Sequence, residues 1–190
     1  MDRLFEADAS LSELLPRLLF LEPAFAGKRV LVAQCGEGDV VQFLAEMDTA
    51  RVVGVDLDAD AIARGRKLLK GRKVDLRAHQ DGRVPADDGA FDVIVDFSLS
   101  RRMASGDAWR IPEYARVLAG RGFLITSVPN PEGLGPSLLL NDGEGPAETG
   151  YTTMVGALQE NFPEVGVYGQ SPLLGFSFTC LLYTSPSPRD

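Results

Sequence analysis

The chain has 190 residues, 45% of them hydrophobic and 24% charged, with a formal net charge of −8. That mix suits one globular domain and excludes a mainly disordered or collagen-like chain. The acidic balance argues against a broad electrostatic grip on nucleic acid.

Residues 11–21 place Leu11, Leu14, Leu15, Leu18 and Leu19 at helical spacing, with Ser10 as N-cap and Pro16 starting or kinking the helix. Arg29–Ala33 is a short apolar run that reads as a buried strand. Gln34-Cys35-Gly36-Glu37-Gly38-Asp39 follows, then a helix carrying Val40, Val41, Phe43, Leu44 and Met47. Arg51–Asp56 reads as the second strand, and residues 59–69 as a helix with Ile62, Leu68 and Leu69 inward. Arg64, Arg66, Lys67, Lys70, Arg72 and Lys73 form a solvated basic face there. Residues 74–78 and 91–97 are the third and fourth strands. A helix over 109–118 turns Ile111, Tyr114, Val117 and Leu118 inward; Gly120-Arg121-Gly122 ends it, before a fifth strand over 123–128. Residues 131–149 read as a long Gly/Pro-rich acidic loop. A helix over 151–162 and strands over 165–168 and 176–182 complete the pattern. Strand-helix alternation predicts a mostly parallel sheet with right-handed crossovers.

The last residues, Leu181-Leu182-Tyr183-Thr184-Ser185-Pro186-Ser187-Pro188-Arg189-Asp190, are set apart as a polar, proline-punctuated tail. They resemble translated sequencing-adapter read-through, so the natural chain is expected to continue past about Cys180 as part of a longer protein. Cys35 and Cys180 cannot build a disulfide framework, and a reduced, cytoplasmic setting is expected. The single histidine, His79, excludes a multi-histidine metal site. Met1-Asp2-Arg3-Leu4-Phe5-Glu6 lacks the pattern of a signal peptide, and no apolar run reaches the roughly 18 residues that span a bilayer, so no membrane partner is expected.

Ligands of open parallel sheets bind beyond the carboxyl ends of the strands. Gly36 and Gly38 allow close backbone approach there, and the following helix offers unpaired N–H groups. Asp56, ending the second strand, can accept both hydroxyls of a ribose, which points to an adenosine-containing ligand. The bland alternative is a structural turn with a strand-end acid. Nicotinamide binding would prefer a third glycine near position 41, where Val41 stands, and a second mononucleotide-binding half. Asp96 and Ser98, at the end of the fourth strand, could orient a nucleophile or simply cap the next turn. His79 is a weaker candidate base. Cys35 reads as packing beneath the loop rather than as a nucleophile.

Four segments carry a family resemblance. Val30-Leu31-Val32-Ala33-Gln34-Cys35-Gly36-Glu37-Gly38 resembles the first motif of class I S-adenosylmethionine-dependent methyltransferases, and Val53-Gly54-Val55-Asp56-Leu57-Asp58 the second. Val84-Pro85-Ala86-Asp87-Asp88-Gly89-Ala90-Phe91-Asp92-Val93-Ile94 is similar to the family's run into strand four. Ala115-Arg116-Val117-Leu118-Ala119-Gly120-Arg121-Gly122-Phe123-Leu124-Ile125 is similar to its helix-turn-strand five. The resemblance implies an α/β, Rossmann-like, doubly wound seven-stranded sheet, mostly parallel, with an antiparallel last strand. It divides the chain into an N-terminal helical segment (1–26), a methyltransferase-like domain (27–180) and the tail (181–190).

The resemblance also implies S-adenosylmethionine as cofactor. Gly36 and Gly38 would meet its methionine part, Asp56 its ribose and Leu57 its adenine. Gln80 or Asp81 would meet the adenine amino group, and Phe97 would line the pocket. Two positions depart from the family pattern. Val32 stands where an acid helps anchor the cofactor ammonium, and Gln34, also facing the cofactor, replaces the first motif glycine. Glu37 and Asp39 are the nearby acids that could substitute. Methyl transfer can rest on positioning alone, so no catalytic base is required. The leading expectation is methyl transfer to a small molecule or protein. The alternative is a non-catalytic binding or scaffold domain of the same fold with a degenerate cofactor motif.

Overall fold

A computed structural model describes residues 14–15, 18–80, 82–106, 110–129, 149–170 and 179–185. The chain divides into two compact units, residues 1–80 and 81–190. That division falls inside the stretch 27–180 expected as one domain.

In the first unit, helical residues at 14–15 and 18–20 precede a short helix α1 (Glu22–Phe25). Leu18 and Phe25 are fully buried, whereas Leu19 and Phe20 are exposed. Strands β1 (Arg29–Ala33), β2 (Arg51–Asp56) and β3 (Asp75–Ala78) lie side by side in the order β3-β2-β1, all parallel. The runs Val30–Ala33 and Val52–Asp56 are buried throughout, as strands covered on both faces require. Helix α2 (Asp39–Ala45) follows β1 and buries Val41 and Leu44. Helix α3 (Ala59–Leu68) follows β2 and buries Ala61, Ile62 and Gly65. Its N-cap is Asp58, whose side chain accepts the N–H groups of Asp60 (2.9 Å) and Ala61 (3.0 Å). Leu68, expected inward, is 62% exposed: it lies on the basic face, and Leu69, just past the helix, turns inward instead.

In the second unit, β4 (Phe91–Asp96) leads into α4 (Leu99–Ala104), then α5 (Arg110–Val117) and β5 (Leu118–Pro129). Helix α5 buries Ile111, Tyr114 and Val117, as the spacing predicts. β5 begins at Leu118 rather than 123. Phe91 pairs with Leu118 and Val93 with Phe123, so the Gly120-Arg121-Gly122 turn is a bulge inside the ladder. A Cβ on Gly122 would meet the Asp92 carbonyl oxygen at 2.9 Å, which fixes glycine there. Beyond α6 (Tyr151–Gln159) come β6 (Glu164–Gln170) and β7 (Thr179–Ser185). β7 runs antiparallel to both β5 and β6, giving the order β4-β5-β7-β6. Residues 181–185, grouped by composition with the tail, therefore pair on both sides. Partners on both flanks and a β-prone Leu-Leu-Tyr-Thr run outweigh the polar, proline-rich residues that follow. The architecture is the expected Rossmann-like α/β fold with an antiparallel last strand.

Among the described residues no helix is long and apolar enough to cross a membrane.

Candidate cofactor-binding edge and the turn after strand four

Parallel pairing of β1, β2 and β3 brings three strand ends to one edge of the first unit. Ala33 pairs with Val55, and Asp56 with Ala78. The chain past each strand therefore carries Gln34–Gly36, Leu57–Asp58 and His79–Gln80 into neighbouring positions. Two further bonds extend the ladder: the Cys35 N–H donates to the Val55 carbonyl (3.1 Å) and the His79 N–H to the Asp56 carbonyl (3.0 Å).

Asp56 organises this edge. It is 8% exposed, and its Oδ2 accepts the Gly36 N–H at 2.8 Å while Oδ1 accepts the Asp58 N–H at 2.9 Å. One carboxylate thus ties the β1 loop to the β2 loop. Each carboxylate oxygen has two lone pairs, so one on each remains for a diol.

The glycine loop is shaped by sterics. Gly36 (φ 53°) has no other atom within 4 Å of where a Cβ would stand, so its backbone borders open space. Gly38 (φ 98°) sits against Leu76 and Leu69, whose Cδ atoms would lie 3.0–3.1 Å from a Cβ. Gln34 adopts φ 53°, and among the described residues it alone is a non-glycine in the left-handed region. The loop thus keeps a glycine-like backbone where glycine itself is absent.

Behind the loop, Gly54 of β2 leaves room for Cys35 and Val41; a Cβ would meet the Cys35 Sγ at 2.8 Å and Val41 at 2.6 Å. Burial, with the Asp56 charge adding to it, pushes the Cys35 thiol up to about 12, so it packs as a protonated group. On the outer side Arg64 of α3 pairs with Glu37 (2.6 Å), and a Cβ on Gly65 would run into the Glu37 carbonyl. Glu37, one of the two acids weighed as substitutes for the family's anchor, is therefore engaged by Arg64. Val32 is buried in β1.

Gln34, Gly36, Gly38, Asp56, Leu57 and Gln80 belong to this edge, with Leu57 half-buried and Gln80 exposed. Asp81 lies outside the described residues. Phe97 is half-buried in the second unit, directly after β4. His79 is half-buried, its Nδ1 2.9 Å from the Gln80 carbonyl oxygen.

In the second unit, Asp96 ends β4 and is fully buried. Its Oδ1 accepts both the N–H (2.9 Å) and the O–H (2.8 Å) of Ser98, and its Oδ2 accepts the Tyr114 O–H (2.6 Å). Burial, then the Asp96 charge, holds the Tyr114 phenol protonated well above its ordinary range. The segment before β4 is braced from α5. Arg116 donates to the carbonyls of Val84 (3.2 Å) and Ala86 (3.0 Å) and to Asp88 and Glu113, while Glu113 accepts the Val84 N–H (2.9 Å). Periodicity marked Tyr114 as core but carried no sign of this brace, or of the buried partners of Asp96.

Comparison with known proteins adds to this geometry. A methyltransferase-domain family model matches residues 30–122. The Mycobacterium tuberculosis (strain H37Rv) protein Rv3030, which bears the name probable S-adenosylmethionine-dependent methyltransferase, is 33% identical over 110 residues. That stretch is 58% of this chain and 39% of that protein, so this chain spans well under half the length of the curated relatives it matches. The crystal structure of PH0226 from Pyrococcus horikoshii OT3 aligns with a TM-score of 0.70 at 20% identity, covering 95% of this chain and 94% of that one. An S-adenosylmethionine-dependent methyltransferase structure from Listeria monocytogenes aligns with a TM-score of 0.69 at 16% identity, covering 93% and 99%. Identities this low show a shared fold.

Proposed function

We propose that this chain is a class I S-adenosylmethionine-dependent methyltransferase domain that binds S-adenosylmethionine at the β1–β3 edge and transfers its methyl group to a small molecule or protein. The observation that carries this reading is Asp56. It stands at the carboxyl end of β2, fixed by two backbone N–H groups, with a lone pair left on each oxygen for a ribose diol. The open space beside Gly36 fits close approach of a ligand to backbone. When bound, S-adenosylmethionine supplies an electrophilic methyl group on a sulfonium sulfur.

The residues of this edge would then act by binding and orientation. Gly36 and Gly38 would hold the loop against the methionine part, with Gln34 beside it. Leu57 would pack on the adenine, and Gln80 or Asp81 would meet its amino group. Alignment of acceptor and methyl group can supply much of the rate without a titrating base.

Calorimetric titration of S-adenosylmethionine and S-adenosylhomocysteine tests the reading, with Asp56→Ala as control. Micromolar binding that the variant loses supports it. A folded protein that binds neither compound up to millimolar concentration overturns it.

A second reading is a binding or scaffold domain of the same fold. Val32 favours it, because the buried β1 position where the family places an anchoring acid is apolar here. The same titration separates the two.

A further inference from the structure

The strand order of the second unit ends at β6. All seven residues of β6, Glu164–Gln170, pair with β7 in an unshifted antiparallel ladder. Among the described residues no strand lies on its other flank. An edge of this kind presents a row of N–H and C=O groups to any extended chain that meets it, and proteins usually blunt it with short length, charge, proline or a bulge. β3, the end strand of the first unit, is blunted in this way: it has four residues, and its Asp75 and Arg77 pair with each other at 2.7 Å. β6 lacks these devices. Its one charged residue, Glu164, stands at its first position; it holds no proline, and no bulge breaks its ladder. Val167 is 40% exposed and Tyr168 54%. Successive strand residues point to opposite faces, so each face of the edge carries an exposed apolar side chain at its middle.

The sequence of β6 shows which strand fits it. In antiparallel pairing with a second copy, the register that overlaps all seven residues sets Val167 opposite Val167 of that copy. On one face this brings two β-branched side chains together. On the other it sets Tyr168 of each copy opposite Gly166 of the other, where an aromatic ring covers a glycine that has no side chain of its own. Val165 meets Gly169 and Glu164 meets Gln170, so no like charges face each other. Pro163 and Pro172, which have no N–H to give, fall outside the paired window. Every pair off the axis occurs twice, which is the self-complementarity a closed two-fold dimer requires.

We propose that the free edge of β6 is a dimerisation surface, at which two copies of this chain pair their β6 strands antiparallel about Val167 and join their β4-β5-β7-β6 arrays into one continuous sheet. Antiparallel partners exchange two N–H···O bonds at every second pair, so seven pairs add roughly six to eight backbone bonds. The assembly stops at two copies, because each spends its β6 edge on the other. The contact is one strand wide and smaller than a standard interface, so a Kd of roughly 1–100 μM is expected. The pairing needs no cofactor and stands independently of the methyltransferase reading.

Sedimentation velocity of the full chain, at concentrations bracketing that range, should show monomer passing to dimer. Val167→Lys and Val167→Glu each place like charges opposite one another at the axis, and each should weaken dimerisation roughly tenfold or more. An equal mixture of the two variants should recover it, because the two-fold then sets lysine against glutamate. Circular dichroism checks that the variants fold. Hydrogen exchange needs no variant: the amides of 164–170 in the wild type should exchange several-fold more slowly at high concentration than at low.

A wild type that stays monomeric across the range overturns the proposal and leaves the edge to a strand of another protein. So does a dimer that either Val167 variant leaves within twofold of wild type, since its contact then lies elsewhere. A mixture no more dimeric than its components overturns the register about Val167, and the proposal with it. Growth beyond a dimer overturns the closed pairing. Amides of β6 whose exchange ignores concentration overturn it even where the variants fail to fold.

Discussion

Replacing Gln34 by glycine and, separately, by alanine isolates the backbone strain of the β1 loop. Both changes remove the glutamine side chain and its contacts, so the two variants differ only in what the backbone costs at φ 53°. A left-handed conformation costs a residue with a Cβ about 1–2 kcal/mol. Ordering glycine costs about 0.5–1 kcal/mol more than ordering alanine, because its unfolded chain is freer. The difference favours glycine by about 0.5–1 kcal/mol, reversing the usual order of the two residues. For a chain of this size that corresponds to a melting temperature roughly 1–4 °C higher for Gln34→Gly than for Gln34→Ala. Differential scanning calorimetry of the two variants reads this directly. An alanine variant that melts at the same temperature as the glycine variant, or higher, would refute the strain argument.

Gly54→Ala should destabilise by about 1–3 kcal/mol, since its Cβ would overlap Val41 and Cys35; Cys35→Ala should recover part of the loss, read by thermal melts of the double variant. Arg116, then the Val84 N–H, holds the Glu113 carboxyl below its usual range. Its contribution is therefore full above the unfolded value near 4.3 and is lost as pH falls through the lowered folded one. Glu113→Gln should melt lower than wild type at pH 7 and converge with it once pH falls below the lowered folded value. In a Cys180→Ser background, iodoacetamide at pH 8 should leave Cys35 unmodified in the folded protein and alkylate it in denaturant, because burial keeps the thiol protonated. Rapid labelling of the folded chain, read by mass spectrometry, would contradict that packing.

The strands were legible where burial on both faces leaves an unbroken apolar run, as in Val30–Ala33 and Val52–Val55. Helix faces were legible where the stripe is long enough to show a period, as in Ile111, Tyr114 and Val117. Helix α4 was not, because six residues with two arginines carry less than two turns of pattern. β5 was misjudged at its start because Gly120 and Gly122 signal a turn whether it ends a strand or bulges within one. The last strand runs to Ser185, past its expected end at 182, because pairing with β5 and β6 is a tertiary fact that local composition does not contain. Within the candidate edge, glycines and a strand-end aspartate were visible as residue types. Their geometry was not: nothing local to Gln34 announces a left-handed backbone. The Asp96–Tyr114 bond joins positions 18 apart, and an aromatic at core spacing reads the same with or without a buried partner.

Asp56 does two jobs with one carboxylate, and that has a consequence for descent. Its oxygens tie two loops of the chain's own backbone whether or not any ligand arrives. Selection for folding alone would retain such a residue in a lineage that had given up the reaction. An aspartate at this position is thus poor testimony to present-day activity, however faithfully it is inherited. Positions without a mechanical duty are free to drift once chemistry lapses, and so they record history better.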